Sequence, residues 1–316
     1  MQVYIIKNFF DCYFNARTVY FRSLFDQLVK SVPKVSLNSV NKIMLPKTRT
    51  TLVVLLLFLF STSCFASFEF KGYGSTYTAG GSAGIASFQN EFGIFLNPAK
   101  LTRATGLQVN LFYRNYYGIS DLNQITLGSQ FLINKLPFGF GISRYGSKIY
   151  SETEIRLGTG INIFEAIHFG ISLNTYHLEI QNYGSTIGVG FDISALYSIT
   201  PNLTSAFVIS NANEPKLGKI SERIPAYFAL GVSYKIFADT EICFDVVKDA
   251  EFDFDYRFGI NYSFKNWLTL ILGYRDQVNS FSTGFNLGKN QLTLGYAFVY
   301  HPQLGGSNSI SMGYAF

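Results

Sequence analysis

Cysteine, tryptophan and histidine are all scarce in this 316-residue chain, which holds 3 Cys, 1 Trp and 3 His. Cys12 and Cys64 lie within the first 66 residues, so a chain that loses that stretch keeps Cys243 alone and cannot form an internal disulfide. His168, His177 and His301 fall on separate stretches with no paired cysteines, which leaves no zinc-type ligand set and no expected cofactor or metal. Charge is sparse too, at 14% Asp, Glu, Lys and Arg. Long apolar runs are almost missing. The single one, Leu52 to Phe60, has 9 residues, far below the roughly 20 that a spanning helix needs, and this excludes a helical membrane protein. No nucleophile motif stands out, and the chain reads as a non-enzyme.

The short apolar run has a specific context. Met44-Leu45-Pro46-Lys47-Thr48-Arg49 gives it a basic flank, and Ser61-Thr62-Ser63-Cys64-Phe65-Ala66 follows it, so residues 44–66 read as a secretory signal peptide with the mature chain starting at Ser67. Ser61 stands where lipoprotein sites usually carry Leu, which argues against cleavage before Cys64. Residues 1–43 read as a mis-extended start or a presequence with no bearing on the fold. Residues 1–66 hold 8 of the 25 basic and 2 of the 20 acidic side chains, leaving 17 against 18 and a mature net charge near −1. The basic pI of 8.9 thus belongs to the leader, and nucleic acid is rejected as a partner.

Aromatic residues are abundant instead. With 32 Phe and 21 Tyr they make up, with Trp, 17% of the chain, while mean hydropathy is only +0.18. Strands that turn one face to lipid and the other to a wet lumen produce that mixture. The last residues, Ser309 to Phe316, alternate so that Ile310, Met312, Tyr314 and Phe316 share one face. About fourteen such stretches follow Gly106, each near the 9 to 11 residues of a tilted spanning strand. Ile187, Val189, Phe191, Ile193, Ala195 and Tyr197, for example, face away from Gly188, Gly190, Asp192 and Ser194. The expected fold is all-β: a transmembrane antiparallel β-barrel of about 14 strands over residues 107–316, in the outer membrane of a Gram-negative-type bacterium. Lipid and the barrel-assembly machinery are its expected partners, with Tyr314 and Phe316 as the C-terminal assembly signal.

The connections alternate in length. Short links such as Asn134 to Pro137 and Thr200 to Asn202 take turns with longer ones such as Asn115 to Asn123, Gly146 to Thr153, His177 to Ser185, Asn211 to Pro225 and His301 to Asn308. Tight periplasmic turns and long external loops explain that parity. Residues 67–106 do not alternate and are rich in Gly and Ala, so they are expected to fold back into the lumen as a hatch or plug.

Two stretches resemble the PorV/PorQ-like outer-membrane proteins, relatives of the FadL hydrocarbon transporters. Gly80 to Ala86 followed by Phe95-Leu96-Asn97-Pro98-Ala99-Lys100-Leu101 resembles that group's glycine-rich stretch and Asn-Pro-Ala-Gly-Leu motif, with Lys100 in place of Gly. His301-Pro302-Gln303-Leu304-Gly305 is similar to a His-Pro-Glu-Leu-Gly loop before the terminal strand. The resemblance implies a 14-stranded barrel with an N-terminal hatch. It also implies either passive transport of small hydrophobic or amphipathic solutes or a place among type IX secretion components; a structural envelope protein is a further alternative.

The hatch motif, Asn97, Pro98, Ala99 and Leu101, reads as a gate or as a simple turn, since Pro fixes φ and Asn bonds its own main chain. Glu241, Asp245, Glu251, Asp253, Asp255 and Arg257 form a candidate acidic stripe on the lumen face. A cation-selecting or calcium-binding constriction is one reading of it. A solvated, partly ion-paired rim is the preferred one, because Glu251-x-Asp253-x-Asp255 lacks the Gly and distal Glu of a calcium loop. His168 is expected beside Gly170 and Ser172 in the lumen. Tyr113, Tyr116, Tyr145, Tyr150, Tyr176, Trp267, Tyr274 and Tyr300 are expected to form girdles at the membrane boundaries.

Overall fold

The computed structural model describes residues 67–89, 91–218, 222–249 and 252–316. The expected presequence, the signal peptide and Glu251 lie outside these residues. Among the described residues sixteen strands run in chain order: β1 (Gln108–Asn115), β2 (Asn123–Ile133), β3 (Leu136–Gly146), β4 (Tyr150–Phe164), β5 (Ile167–Ile180), β6 (Gly184–Thr200), β7 (Leu203–Ser210), β8 (Lys216–Leu217), β9 (Glu222–Arg223), β10 (Tyr227–Phe237), β11 (Thr240–Asp249), β12 (Asp255–Phe264), β13 (Leu268–Arg275), β14 (Ser280–Lys289), β15 (Leu292–His301) and β16 (Gly305–Ala315). All but β8 and β9 form one closed antiparallel barrel of 14 strands, each paired with its neighbour in sequence. β8 and β9 make a separate two-stranded ribbon within the connection from β7 to β10.

Closure joins the first and last strands, with Gln108 opposite Ala315 and Asn115 opposite Asn308. The Phe316 amide donates to the Leu107 carbonyl at 2.8 Å, so the chain's last residue completes the seam. No edge is left to expose unpaired backbone, as a bilayer requires. Along β16, Ile310, Met312 and Tyr314 point outward, while Ser309, Ser311 and Gly313 point in. The same period of two runs round the barrel. Leu230, Ile187, Leu173 and Leu272 are each 56 to 62% exposed on the outer face, an apolar belt suited to lipid.

The alternation of short and long connections holds in part, because three of the expected long links are as short as the turns at the other end. Links of two or three residues at 134–135, 165–166, 201–202, 238–239, 265–267 and 290–291 all lie at one end of the barrel. Asn134 and Lys135 both have positive φ, the geometry that matches hairpin turns to strand twist. At the opposite end, the expected long links from 146, 177 and 301 shrink to 147–149, 181–183 and 302–304. The strands continue through them: β4, β5 and β6 have 15, 14 and 17 residues, beyond the roughly 9 to 11 that span a membrane. Polar residues such as Ser151, Glu152 and Glu179 hid this extension, because they continue the β4–β5 pairing where the apolar alternation has ended. His301 closes its turn by accepting at Nδ1 from the Gln303 and Leu304 amides at 3.2 and 3.3 Å.

The described residues of 67–106 lie in the barrel interior. They include two short helices, α1 (Ser75–Ala79) and α2 (Gly93–Leu96), and a 3-10 turn over Pro98–Arg103. Phe68 lies near Tyr176 and the β7–β10 connection, and the segment ends where β1 begins at the short-turn end. Its side chains build the interior core. Tyr73, Tyr77, Ile85, Phe92, Ile94, Phe95, Leu96 and Leu101 are nearly all buried and pack with Phe112, Val208, Ala229 and Val247 of the wall.

Candidate functional site

The seat for this segment is written in wall glycines. A Cβ placed on Gly170 of β5 would lie 2.1 Å from the Ala99 amide nitrogen. One on Gly273 of β13 would lie 1.9 Å from the Gly81 nitrogen, one on Gly141 would meet the Phe95 ring at 2.3 Å, and one on Gly139 would meet Leu101 at 2.7 Å. Here strand glycine allows another backbone to approach the wall. The sheet is bare where the segment touches it.

Asn97 organises the motif. Its amide Nδ2 donates to the Ile85 carbonyl at 2.9 Å, and its Oδ1 accepts from the Ala99 amide at 3.0 Å as the cap of the 3-10 turn that Pro98 begins. The Ala99 amide also reaches Ser194 Oγ of β6 at 2.9 Å, and Leu101 is fully buried. Asn97, Pro98, Ala99 and Leu101 therefore come together as a docked corner rather than a free turn. His168 lies close by, its Nδ1 3.0 Å from Thr102 Oγ1 and 2.6 Å from Asn162 Oδ1.

Four residues of the acidic stripe, Glu241, Asp245, Asp255 and Arg257, are buried and partly ion-paired rather than lying on a solvated rim. Asp245 Oδ2 accepts from the Gly84 and Ile85 amides at 2.7 and 3.1 Å, and Glu241 accepts from the Phe88 amide at 2.9 Å and from Ser87 Oγ at 3.1 Å. Asp255 pairs with Arg257 and Arg275, both at 2.7 Å, and Arg257 donates to the Tyr77 hydroxyl at 3.1 Å. These side chains look solvated from sequence because a lumen is wet by default; here the N-terminal segment has replaced the water. Asp253 does not join them, since β12 starts only at Asp255 and Asp253 is exposed on the loop before it.

A second polar patch, on the opposite wall, has the same grammar. Arg156 of β4 sits between Glu154 and Asp192, each at 2.6 Å, and donates to the Phe95 carbonyl at 3.2 Å. Glu154 also accepts from the Tyr73 hydroxyl at 2.5 Å, and Asp192 from Asn174, Ser210 and the Asn211 amide. Sequence reasoning missed this patch although Glu152-x-Glu154-x-Arg156 repeats the period-two acid-x-Arg pattern of Asp253-x-Asp255-x-Arg257. Tyr116 and Tyr176 are corrections to the girdle. Tyr176 is 2% exposed because it shares its face of β5 with Gly170, Ser172 and Asn174, and Tyr116 donates to Gln124 at 2.7 Å. Tyr145 also turns inward, under the Lys71 ammonium. Tyr113, Trp267 and Tyr300 stay exposed on the outside.

Lys100, which stands where the resembling family has Gly, is 2% exposed and donates to the Gly84 carbonyl at 3.4 Å. Burial and then Arg103 lower its pKa from 10.5 to about 8, against the pull of Glu241, Cys243 and Asp245. A lysine seated with a lowered pKa disfavours seating while protonated, so the docked state binds fewer protons than the released one between about pH 8 and 10.5. Seating is therefore expected to tighten as pH rises through that window. Single-channel recordings should show lower mean conductance at the alkaline end, and Lys100→Met should abolish the dependence.

At the long-loop mouth the segment leaves a cavity lined by Phe68, Glu69, Phe70, Lys71, Tyr73, Tyr145, Glu152, Glu154, Arg156, Tyr176, Tyr227 and Asp249, among others. Phe70 is its central ring, 5.8 Å from Tyr73, 6.0 Å from Tyr77 and 5.2 Å from Tyr227.

No family model matches the chain, and no curated protein matches it. Solved structures do. The toluene transporter TbuX of Ralstonia pickettii superposes with a TM-score of 0.60 at 12% identity, over 79% of this chain and 100% of that one. The CymD monoaromatic hydrocarbon channel gives 0.59 at 14%, over 79% and 99%, and a FadL homologue of Pseudomonas aeruginosa gives 0.54 at 11%, over 79% and 99%. At these identities the likeness establishes a shared fold.

Proposed function

We propose that the protein is a non-enzymatic outer-membrane conduit for small apolar or amphipathic molecules, with residues 67–106 as a hatch that must shift for passage. The observation that carries this reading is the docking of that segment. Its backbone is pressed against wall glycines and held by side chains of β4, β6, β11 and β12, so the lumen is filled by a separable piece rather than by the wall itself. The shared fold with hydrocarbon channels supports it. A PorV/PorQ-type place in type IX secretion rests on the motifs at 97–101 and 301–305 alone, and co-purification with secretion components is its test.

A disulfide can lock the hatch. A Cβ on Gly295 would lie 3.2 Å from Ser75 Cβ, a few tenths of an ångström from the roughly 3.5 to 4.5 Å of a disulfide. In a Cys243→Ser background, Ser75→Cys with Gly295→Cys should form the bond on oxidation. Uptake of a neutral naphthylamine dye by cells carrying the oxidised protein is expected to fall to the level of cells without it, and a reductant should restore uptake. Equal uptake by locked and reduced protein would remove the conduit reading.

A further inference from the structure

Resting on the conduit reading, we infer that the hatch leaves its seat as one body, its two halves joined by a clasp of three positioning residues, Asn97, Lys100 and Arg103. The halves sit on opposite arcs of the wall. Residues 75–88 lie against β11 to β16, where Asp245 takes the Gly84 amide and Gly273, Gly284 and Gly295 make room for Gly81, Ala79 and Ser75. Residues 91–103 lie against β2 to β6, where Gly128, Gly141 and Gly170 make room for Phe92, Phe95 and Ala99, and Ser194 takes the Ala99 amide. Held by the wall alone, each half would be free to move without the other.

The stretch 84–88 divides its hydrogen bonds by side. Its amides turn to β11, where Asp245 accepts from Gly84 and Ile85 and Glu241 accepts from Phe88. Its carbonyls turn to the 3-10 turn: Asn97 Nδ2 donates to Ile85 at 2.9 Å, Lys100 Nζ to Gly84 at 3.4 Å and Arg103 Nη1 to Ser87 at 3.0 Å. A 3-10 helix has three residues per turn, so the cap at 97 and positions 100 and 103 share one edge. A glycine at 100, as in the resembling family, would leave the row without its middle donor. Thr76 Oγ1 adds a further link between the halves, donating to Glu91 at 2.9 Å. The two surfaces also differ in what parting exposes. Lifting 84–88 from β11 bares the carboxylates of Asp245 and Glu241, which water solvates well. Opening the joint bares Tyr77 and Ile85 on one side and Phe92, Phe95 and Leu96 on the other, all members of one apolar cluster that is costly to wet. The wall contact is therefore the one that gives way.

The disulfide between positions 75 and 295 pins the first half alone, so it reads the joint. With the clasp intact, the oxidised protein is expected to pass no dye, because the second half cannot leave without the first. Adding Lys100→Met and Arg103→Met, with Asn97 kept as the cap of its turn, should free the second half and return uptake by the oxidised protein to more than about half of its reduced level. Uptake that stays at the level of cells without the protein, in a clasp variant whose reduced form passes dye, overturns the clasp and leaves the conduit standing. Equal uptake by locked and reduced protein with the clasp intact would instead remove the conduit reading. Hydrogen exchange of the unaltered protein in detergent micelles tests the joint without any variant. Amides of 84–88 and 99–103 should open together, with protection factors within about fivefold of each other and below those of β11. A wider gap between the two stretches, or protection equal to that of β11, overturns release as one body.

Discussion

Placing valine at both Gly170 and Gly273 should turn a closed barrel into an open one. Each added Cβ would lie about 2 Å from segment backbone, at Ala99 and Gly81, where no rotamer change gives relief. Overpacking of this kind costs about 1 to 3 kcal/mol per site or more, and the two sites lie on different strands, so their effects add. Together they should shift the balance between seated and released segment by roughly 30-fold to 10⁴-fold. The wall itself should not suffer, because valine suits a strand better than glycine does. Gly288→Val is the control: it is on β14, and nothing lies within 4 Å of its added Cβ. Planar-bilayer recordings should show large, long-lived openings for the double variant and background conductance for the control. Closed traces from a correctly folded double variant would mean that the segment is not seated on these glycines.

Arg156→Met should be the most damaging single change in the lumen. It leaves Glu154 and Asp192 buried, at 7% and 1% exposure, without the guanidinium that each contacts at 2.6 Å, and it strips the Phe95 carbonyl of its donor. Removing one partner from a buried ion network typically costs about 3 to 5 kcal/mol. Because the network ties β4 and β6 to the segment at Tyr73 and Phe95, both wall and seat should weaken. A fall in the temperature at which the folded band disappears on a gel, with a matching rise in conductance, is the expected readout. Adding Glu154→Gln and Asp192→Asn to Arg156→Met should recover much of the loss, because the orphaned charges are then gone. A triple variant no better than the single one would show that Arg156 acts through shape rather than charge.

The barrel was legible in the sequence because the bilayer imposes a period of two that few other folds sustain over fourteen stretches. Ile187 to Tyr197 and Asp255 to Phe264 face as their alternation requires. What the pattern could not give was where a strand ends. Once the apolar alternation stops, pairing continues through polar residues such as Ser151 and Glu179, and these read as loop. The site was legible in part. Asn97, Asp245 and Arg257 could be placed on the lumen side, but a lumen position says nothing about whether water or protein fills it. Period two also separates lumen glycines from lipid-facing ones, and a stripe of residues without side chains on a wall otherwise lined by polar groups marks where backbone docks. Gly139, Gly141, Gly170, Gly259 and Gly273 carry that signal. Tyr176 shows the converse: its place near a strand end pointed to a girdle, whereas its parity with Asn174 fixes it inside.

Single-channel conductance of the full-length protein against a variant lacking residues 67–103 tests the central claim most directly. A barrel whose interior is filled by that segment should open only rarely and briefly when intact and conduct steadily, like a small open pore, once it is removed. Equal conductance from the two proteins, with both barrels folded, would contradict the claim.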